Sequence, residues 1–311
     1  MTDSISPPAD AVAVRLGMVR TAADSLLASV RGRDVLLRSL TSVDEMAPIE
    51  ELQRRVMGAP DLDVYGRATL VAIPSTGGHV IGAFVRSSTG DVEGDWELAG
   101  AVIGLGGFVR DHAGVGTPTI VSDWMGVWPQ WRSAGLGAAL KRAQMVRALE
   151  GGFERVEWTV DPLRAANARL NHGVLGAAAV AYEQDVYGAD YATGLYGGLP
   201  SDRLVLHWAI TDPGVQERVV DPPPPRTVDD LRNLDDRRAG GGGSPLAGFV
   251  EIPPDIDALL AADPTAALPE RERVRAQLTA AFAAGAEVVD FASAGRSGRP
   301  ALVLAARRDR S

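Results

Sequence analysis

The 311-residue chain is 46% hydrophobic and has no cysteine, so it can bury one large core or two modest ones, while disulfides, thiolate metal sites and a cysteine nucleophile are excluded. Its formal net charge of −9 argues against a nucleic-acid partner, because gripping a phosphate backbone needs a net basic face. No run of about 18 apolar residues predicts a membrane span, and the start, Met1-Thr-Asp-Ser-Ile-Ser-Pro-Pro8, lacks the basic-then-apolar order of a secretory signal, so a cytoplasmic location is expected.

Residues 1–10 read as a tail and Ala11 to Val30 as a helical stretch, which together with the residues up to 34 would form an N-terminal extension. Val35 to Leu40 is a short strand. Asp44 to Met57 is helical, with Ile49, Leu52 and Val56 at spacings of three and four. Ala68 to Ile73 and Val80 to Val85 read as strands joined by the hairpin residues Pro74-Ser-Thr-Gly-Gly78. A polar loop, Arg86 to Glu97, leads to a third strand, Ala99 to Leu105, and Gly116 to Pro118 reads as a turn. Thr119 to Val127 is nearly continuous in apolar character, as a central strand should be.

From about Gly135 to Glu150 the pattern is helical, with Leu136, Leu140, Ala143, Val146 and Leu149 on one face, and Gly151-Gly152 ends it. Val156 to Val160 follows as a strand, and the crossover predicts that it lies parallel to Thr119–Val127. Asp161-Pro162 suits a helix cap and first turn for a helix reaching Leu175 and stopped by Gly176. Ala178 to Tyr187 and Arg203 to Ile210 are the last two strands of a domain spanning 35–211, joined by the loop Gly188 to Asp202. Residues 212–246 read as a Pro/Gly-rich linker, and 247–311 as a small α+β appendage: a strand at 248–252, helices near 255–262 and 269–285, and a hairpin of 288–292 with 301–305.

The centre of this order is the junction Ser122-Asp-Trp-Met-Gly-Val-Trp-Pro-Gln-Trp-Arg-Ser-Ala-Gly-Leu-Gly137. A strand runs into a small-residue turn and then a helix, so unpaired N–H groups and a positive dipole end face whatever sits in the turn. Gly135 and Gly137 let the backbone approach an anion, and Arg132 adds a charge. The spacing matches neither the P-loop nor the dinucleotide fingerprint.

With this glycine turn in this strand order, residues 35–211 resemble the GNAT superfamily of N-acetyltransferases. The segments Trp158-Thr-Val-Asp-Pro-Leu163, Asn167-Ala-Arg-Leu-Asn171, Tyr187-Gly188, Ser201-Asp-Arg-Leu-Val-Leu-His-Trp208 and Ile252-Pro-Pro-Asp-Ile256 look more specifically like a bacterial subgroup of unknown substrate. The resemblance implies an α/β fold on a mixed sheet and transfer of an acetyl or other acyl group from acyl-CoA to an amine. It puts the pyrophosphate on Arg132, Ser133, Ala134, Gly135, Leu136 and Gly137, pantetheine on the backbone of Met125, Gly126 and Val127, and a further pantetheine contact on Asn167. A small-molecule amine is the expected acceptor and a homodimer is an arrangement to test. A CoA sensor without turnover, or a protein N-acetyltransferase, would fit the same turn.

For the chemistry, Asp123 is the ionisable residue of the central strand, suited to act as base, to anchor a cationic substrate or to sit in a structural ion pair, and period-two alternation would put it on one face with Met125 and Val127. The family's acid, a tyrosine four residues before the glycine that ends the second helix, falls on His172 here, with Tyr182 and Tyr187 as rivals. Glu157 and Thr159 are candidates to line the acceptor pocket. Asp202 and Arg203 either bind substrate or pair with each other. Tyr191 and Tyr196 add to a local cluster of tyrosines. His79, His112 and His207 have no metal-ligand spacing, so no metal is expected.

Overall fold

The computed structural model describes residues 9–57, 63–86, 96–110, 114–188, 197–238 and 246–307. The tail before residue 9, most of the loop expected at 86–97, His112, Tyr191 and Tyr196 lie outside the described residues. The chain divides into two compact units, Met1–Glu157 with Ala209–Val220, and Trp158–Trp208 with Asp221–Ser311. The division falls inside one strand of the expected 35–211 domain.

In the first unit, α1 (Ala9–Arg15) is followed by β1 (Met18–Ala22), β2 (Ser25–Val30) and β3 (Arg33–Ser39), paired in succession as antiparallel neighbours. The helical reading of Ala11 to Val30 is therefore corrected. Gly17, at φ 71°, ends α1, and Arg31-Gly32, at φ 52° and 77°, forms a two-residue loop with both residues left-handed, the geometry that closes a hairpin. Between them Met18, Leu26 and Ala28 are buried.

The helix α2 (Val43–Met57) forms as the spacing predicts, burying Met46, Ile49 and Leu52. Ala68 to Ile73 is not a strand. It is the helix α3 (Arg67–Ala72) running into a 3-10 turn, Ile73–Thr76, with Leu70 and Ile73 buried three residues apart. A six-residue apolar run fits a strand or a buried helical turn equally well by pattern alone.

The strands β4 (His79–Arg86), β5 (Trp96–Arg110) and β6 (Gly116–Val127) extend the antiparallel series, and β6 already begins at the expected turn 116–118. The helix α4 (Leu136–Glu150) then leads to β7 (Arg155–Val160), which pairs with β6 in parallel as the crossover requires. An apolar cluster of Met46, Ile49, Leu52, Leu70, Ile73, Val80, Ala101, Ile103 and Trp124 joins α2 and α3 to one face of β4–β6. On the opposite face sits α4, whose burial extends beyond the expected apolar stripe to Lys141, Gln144 and Met145.

In the second unit the strand order is β9-β8-β11-β12-β10, with β8 (Ala178–Glu183), β9 (Arg203–Ala209), β10 (Leu246–Glu251), β11 (Ala286–Ala292) and β12 (Ala301–Ala306). Its pairs are antiparallel. The expected strand 178–187 stops at Glu183, which leaves Tyr187 in a turn. Residues 212–246 carry two helices in place of a bare linker: α6 (Pro213–Val220), which belongs to the first unit, and α7 (Val228–Arg238). The start of α7 is a reciprocal cap: Thr227 N–H donates to Asp230 Oδ2 at 2.9 Å, and Asp230 N–H donates to Thr227 Oγ1 at 3.1 Å. After β10 come α8 (Ile256–Ala262), capped by Asp255, and α9 (Pro264–Ala283).

Candidate functional site

The ladder between β6 and β7 covers three pairs, Thr119 with Arg155, Ile120 with Val156 and Val121 with Glu157. Beyond Val121, β6 continues to Val127 paired with β5 on its other side. The backbone of Met125, Gly126 and Val127 therefore lies past the end of that ladder, on a strand paired there with β5.

Where the ladder ends, β6 is bulged. Ile103 of β5 faces Trp124 and the next residue, Gly104, faces Ser122, so Asp123 is an extra residue without an opposite number. The bulge reverses the facing of the strand. Ser122 points to α4 and accepts a hydrogen bond from Lys141, while Trp124 joins the apolar cluster under α2. This corrects the expectation that Asp123 shares a regular face with Met125 and Val127. The Asp123 carboxylate is exposed and accepts a hydrogen bond from the Tyr65 hydroxyl at 2.8 Å.

After β6, a short 3-10 turn (Pro129–Trp131) delivers the chain to Arg132 and the glycine turn. Ser133 and Gly135 are both left-handed, at φ 60° and 90°. The first intrahelical bond of α4 runs from Ala139 N–H to the Gly135 carbonyl at 3.2 Å, so the amides of Leu136, Gly137 and Ala138 have no partner inside the helix. No side chain caps them. A Cβ on Gly135 would lie 2.9 Å from Val30 Cγ1, so the turn also needs glycine for space. Three free amides, a dipole end and Arg132 make a seat for a phosphate or pyrophosphate.

Beneath the turn and the bulge lies a buried polar chain. Lys141 Nζ donates to Ser122 Oγ at 2.7 Å and to Gln144 Oε1 at 3.1 Å, and Gln144 Nε2 donates to His79 Nε2 at 3.0 Å. Burial lowers the Lys141 amine to about 7. Burial, then the charges of Lys141 and Arg147, lower the His79 imidazole to about 3. Gly104 makes room for this chain, since a Cβ there would sit 2.5 Å from His79 Nε2 and 3.0 Å from Gln144 Nε2.

A cleft of about 470 Å³ opens on the same unit, lined by Pro48, Glu51, Glu97, Leu98, Trp128 and Gln130. Leu98 and Trp128 pack, with Tyr65, against the apolar cluster that holds Trp124. Sequence reasoning did not find this cleft or Tyr65. Glu51 and Leu98 stand in separate elements, and only folding brings them together.

The second unit holds the remaining candidates. His172 is fully buried in a π-helical turn (Arg169–Val174) and its Nδ1–H donates to the Ala177 carbonyl at 2.7 Å. Asp161 does not cap a helix. Its Oδ1 accepts from Leu163 N–H at 2.9 Å and its Oδ2 pairs with the fully buried Arg271 at 2.7 Å. The Tyr182 hydroxyl donates to Asp202, and Arg275 Nε donates to the same carboxylate at 2.9 Å. Burial, then the hydrogen bond to Asp202 and the charge there, push the Tyr182 phenol far above its ordinary range. Burial would raise Asp202 too, but Arg275, Tyr182 and the Asp185 amide outweigh it and hold the carboxylate below its usual range. Asp202 and Arg203 do not form an ion pair: Arg203 donates to the Asp202 carbonyl at 3.0 Å and lies over the Tyr187 ring at 5.0 Å.

Tyr187 is 47% exposed, and its hydroxyl lies 3.3 Å from Thr159 Oγ1. Thr159 is exposed on β7, whereas Glu157 is half-buried beside Arg155 at 3.6 Å. Asn167 is exposed on the four-residue helix α5 (Ala165–Ala168). Among the described residues no group of three or more His, Asp or Glu side chains could hold a metal, and no helix is long and apolar enough to cross a membrane.

No family model matches this sequence and no curated protein matches it. Solved structures do. The protein yncA of Salmonella typhimurium, solved with its cofactor acetyl-CoA, is 18% identical, with 57% of this chain and 94% of that chain covered and a TM-score of 0.43. The ribosomal-protein-S18-alanine N-acetyltransferase of Escherichia coli is 15% identical, covering 57% and 94%, at a TM-score of 0.41. A GNAT family acetyltransferase from Elizabethkingia anophelis, with acetyl-CoA bound, is 10% identical, covering 56% and 97%, at 0.39.

Proposed function

We propose that this chain is a GNAT-type N-acyltransferase that moves the acyl group of acyl-CoA directly to a small-molecule amine. The observation that carries the reading is the end of the β6–β7 ladder at Val121, followed on the same strand by a bulge and by the uncapped glycine turn of α4. A long ligand with a pyrophosphate at one end and amides along its length suits such a track. When bound, acyl-CoA supplies a thioester whose acyl carbon is open to an amine.

On this reading the amides of Leu136, Gly137 and Ala138, with Arg132, hold the pyrophosphate. The β6 backbone from Met125 to Val127 aligns the pantetheine and offers N–H groups to the thioester oxygen as negative charge builds on it. Asp123, exposed and held by Tyr65, accepts the proton that the amine loses on attack. Of the acid candidates, His172 is buried and Tyr182 is bound to Asp202, whereas Tyr187 is exposed with its hydroxyl beside Thr159. The cleft of about 470 Å³ is in the range of small-ligand sites, roughly 300–1,000 Å³, which favours a small acceptor, and Glu51 and Glu97 on its wall favour a cationic one.

The test is release of free CoA from acetyl-CoA in the presence of a panel of amines, alongside calorimetric binding of CoA. Binding with amine-dependent release is expected. Absence of CoA binding at millimolar concentration would remove the reading. A second reading, a CoA sensor without turnover, is favoured by the commitment of Tyr182 and the burial of His172. It predicts CoA binding without release for every amine of the panel.

A further inference from the structure

The proposed acyl-CoA reading uses one arginine at the glycine turn, yet three stand there. Arg31 Nη1 donates to the Ser133 carbonyl at 2.7 Å, and its Nε lies 3.9 Å from where a Cβ on Gly135 would be, so this guanidinium lies against the turn itself. The Arg33 guanidinium stacks over the Trp131 ring, 5.4 Å from its centroid, on the segment leading into the turn. Arg132, between Trp131 and Ser133 in sequence, is exposed. The β2–β3 hairpin and the glycine turn are thus one surface, although about a hundred residues separate them.

These arginines differ from several others of the same unit in the partners they take. In an acidic protein of net charge −9, Arg20, Arg38, Arg55, Arg67 and Arg147 of the same unit all engage carboxylates. Among the described residues no carboxylate lies within ion-pair distance of Arg31, Arg33 or Arg132. Arg31 also occupies the first position of a two-residue loop with φ 52°, where asparagine, aspartate or glycine is the usual occupant. Three uncompensated cations around one turn call for a ligand with more anionic groups than a pyrophosphate.

We infer that the β2–β3 hairpin is part of the cofactor site, with Arg31 and Arg33 receiving the ribose 3′-phosphate of CoA while the turn and Arg132 hold the pyrophosphate. This rests on the acyl-CoA reading. A 3′-phosphate is a terminal dianion, and two guanidinium forks on one side of the turn suit it better than a single helix end does. The site would therefore select CoA over 3′-dephospho-CoA.

Calorimetry with CoA and with 3′-dephospho-CoA tests this on the full chain. The wild type is expected to bind CoA roughly tenfold to a hundredfold more tightly, the range for a hydrogen bond to a charged group, and the preference should shrink as salt rises. Arg31→Gln with Arg33→Gln should abolish the preference, so that CoA and 3′-dephospho-CoA bind alike. The single Arg33→Gln, which leaves the Arg31-Gly32 loop intact, should lose part of the preference and guards against a misfolded double variant. Equal binding of the two ligands by the wild type, or a preference that survives both substitutions, overturns the inference and leaves the acyl-CoA reading standing. Binding of neither ligand overturns both.

Discussion

Lys141→Met offers a sharp test of how β6 is supported. The Lys141 amine is fully buried, and burial lowers it from 10.5 to about 7. In the unfolded chain it stays protonated up to about 10.5, so between pH 7 and 10.5 unfolding takes up a proton and stability rises with pH. Stability from this group is fully present above 10.5 and is lost as pH falls to about 7. At about 1.4 kcal/mol per pH unit the window is worth at most about 5 kcal/mol, an upper bound because water entry and relaxation soften such penalties. Methionine removes the amine but leaves Ser122 Oγ and Gln144 Oε1 without their donor, at a cost of about 1–3 kcal/mol. The two effects oppose each other at low pH and not at high pH. Lys141→Met should therefore be more stable than the wild type at pH 6 and less stable near pH 10. Urea unfolding followed by circular dichroism at pH 6, 8 and 10 gives the difference directly, and a difference that stays constant across that range would refute the reasoning.

His79→Gln should flatten the acid limb of the stability curve: the wild-type imidazole, at about 3 when folded against 6.5 unfolded, makes the wild type lose stability as pH falls from 6.5 toward 3, and urea titrations at pH 4 to 7 check it. Asp202→Asn leaves the Arg275 fork facing a neutral amide in a fully buried position and should cost about 3 kcal/mol, while Tyr182→Phe should cost about 1 kcal/mol, both without loss of CoA affinity. Asp123→Asn should reduce amine-dependent CoA release by about a hundredfold or more with the CoA dissociation constant unchanged. Gly135→Ala should weaken CoA binding instead, since its Cβ would press on Val30 and its φ of 90° disfavours any side chain.

The glycine turn could be read from sequence because its causes are local. A strand, two glycines two residues apart and a helix lie within about twenty positions, and the backbone conformation at Gly135 follows from that order. The parallel pairing of β6 and β7 was readable for the same reason, since a single helix separates them. Short runs failed where local pattern is ambiguous. Ala68 to Ile73 carries no signal that separates a strand from a helical turn, and Thr227-Val-Asp-Asp230 is a capping pair that a proline-rich, charged context concealed.

What sequence could not show was pairing at a distance and a change of register. Arg31 reaches Ser133 across 102 positions, Tyr65 reaches Asp123 across 58, and Arg275 reaches Asp202 across 73. Register was the more consequential loss. A strand read with period two turns Ser122 and Trp124 to the same side, and one of them would then be misplaced: a hydroxyl in the apolar cluster, or an indole against Lys141. The bulge at Asp123 removes that conflict by turning Ser122 toward α4 and Trp124 toward α2, and it leaves the extra residue, a carboxylate, at the surface beside Tyr65. The proposed base is therefore exposed because the residues on either side of it are packed on opposite faces of the sheet, so a change that weakens either anchor should disturb Asp123 without touching it.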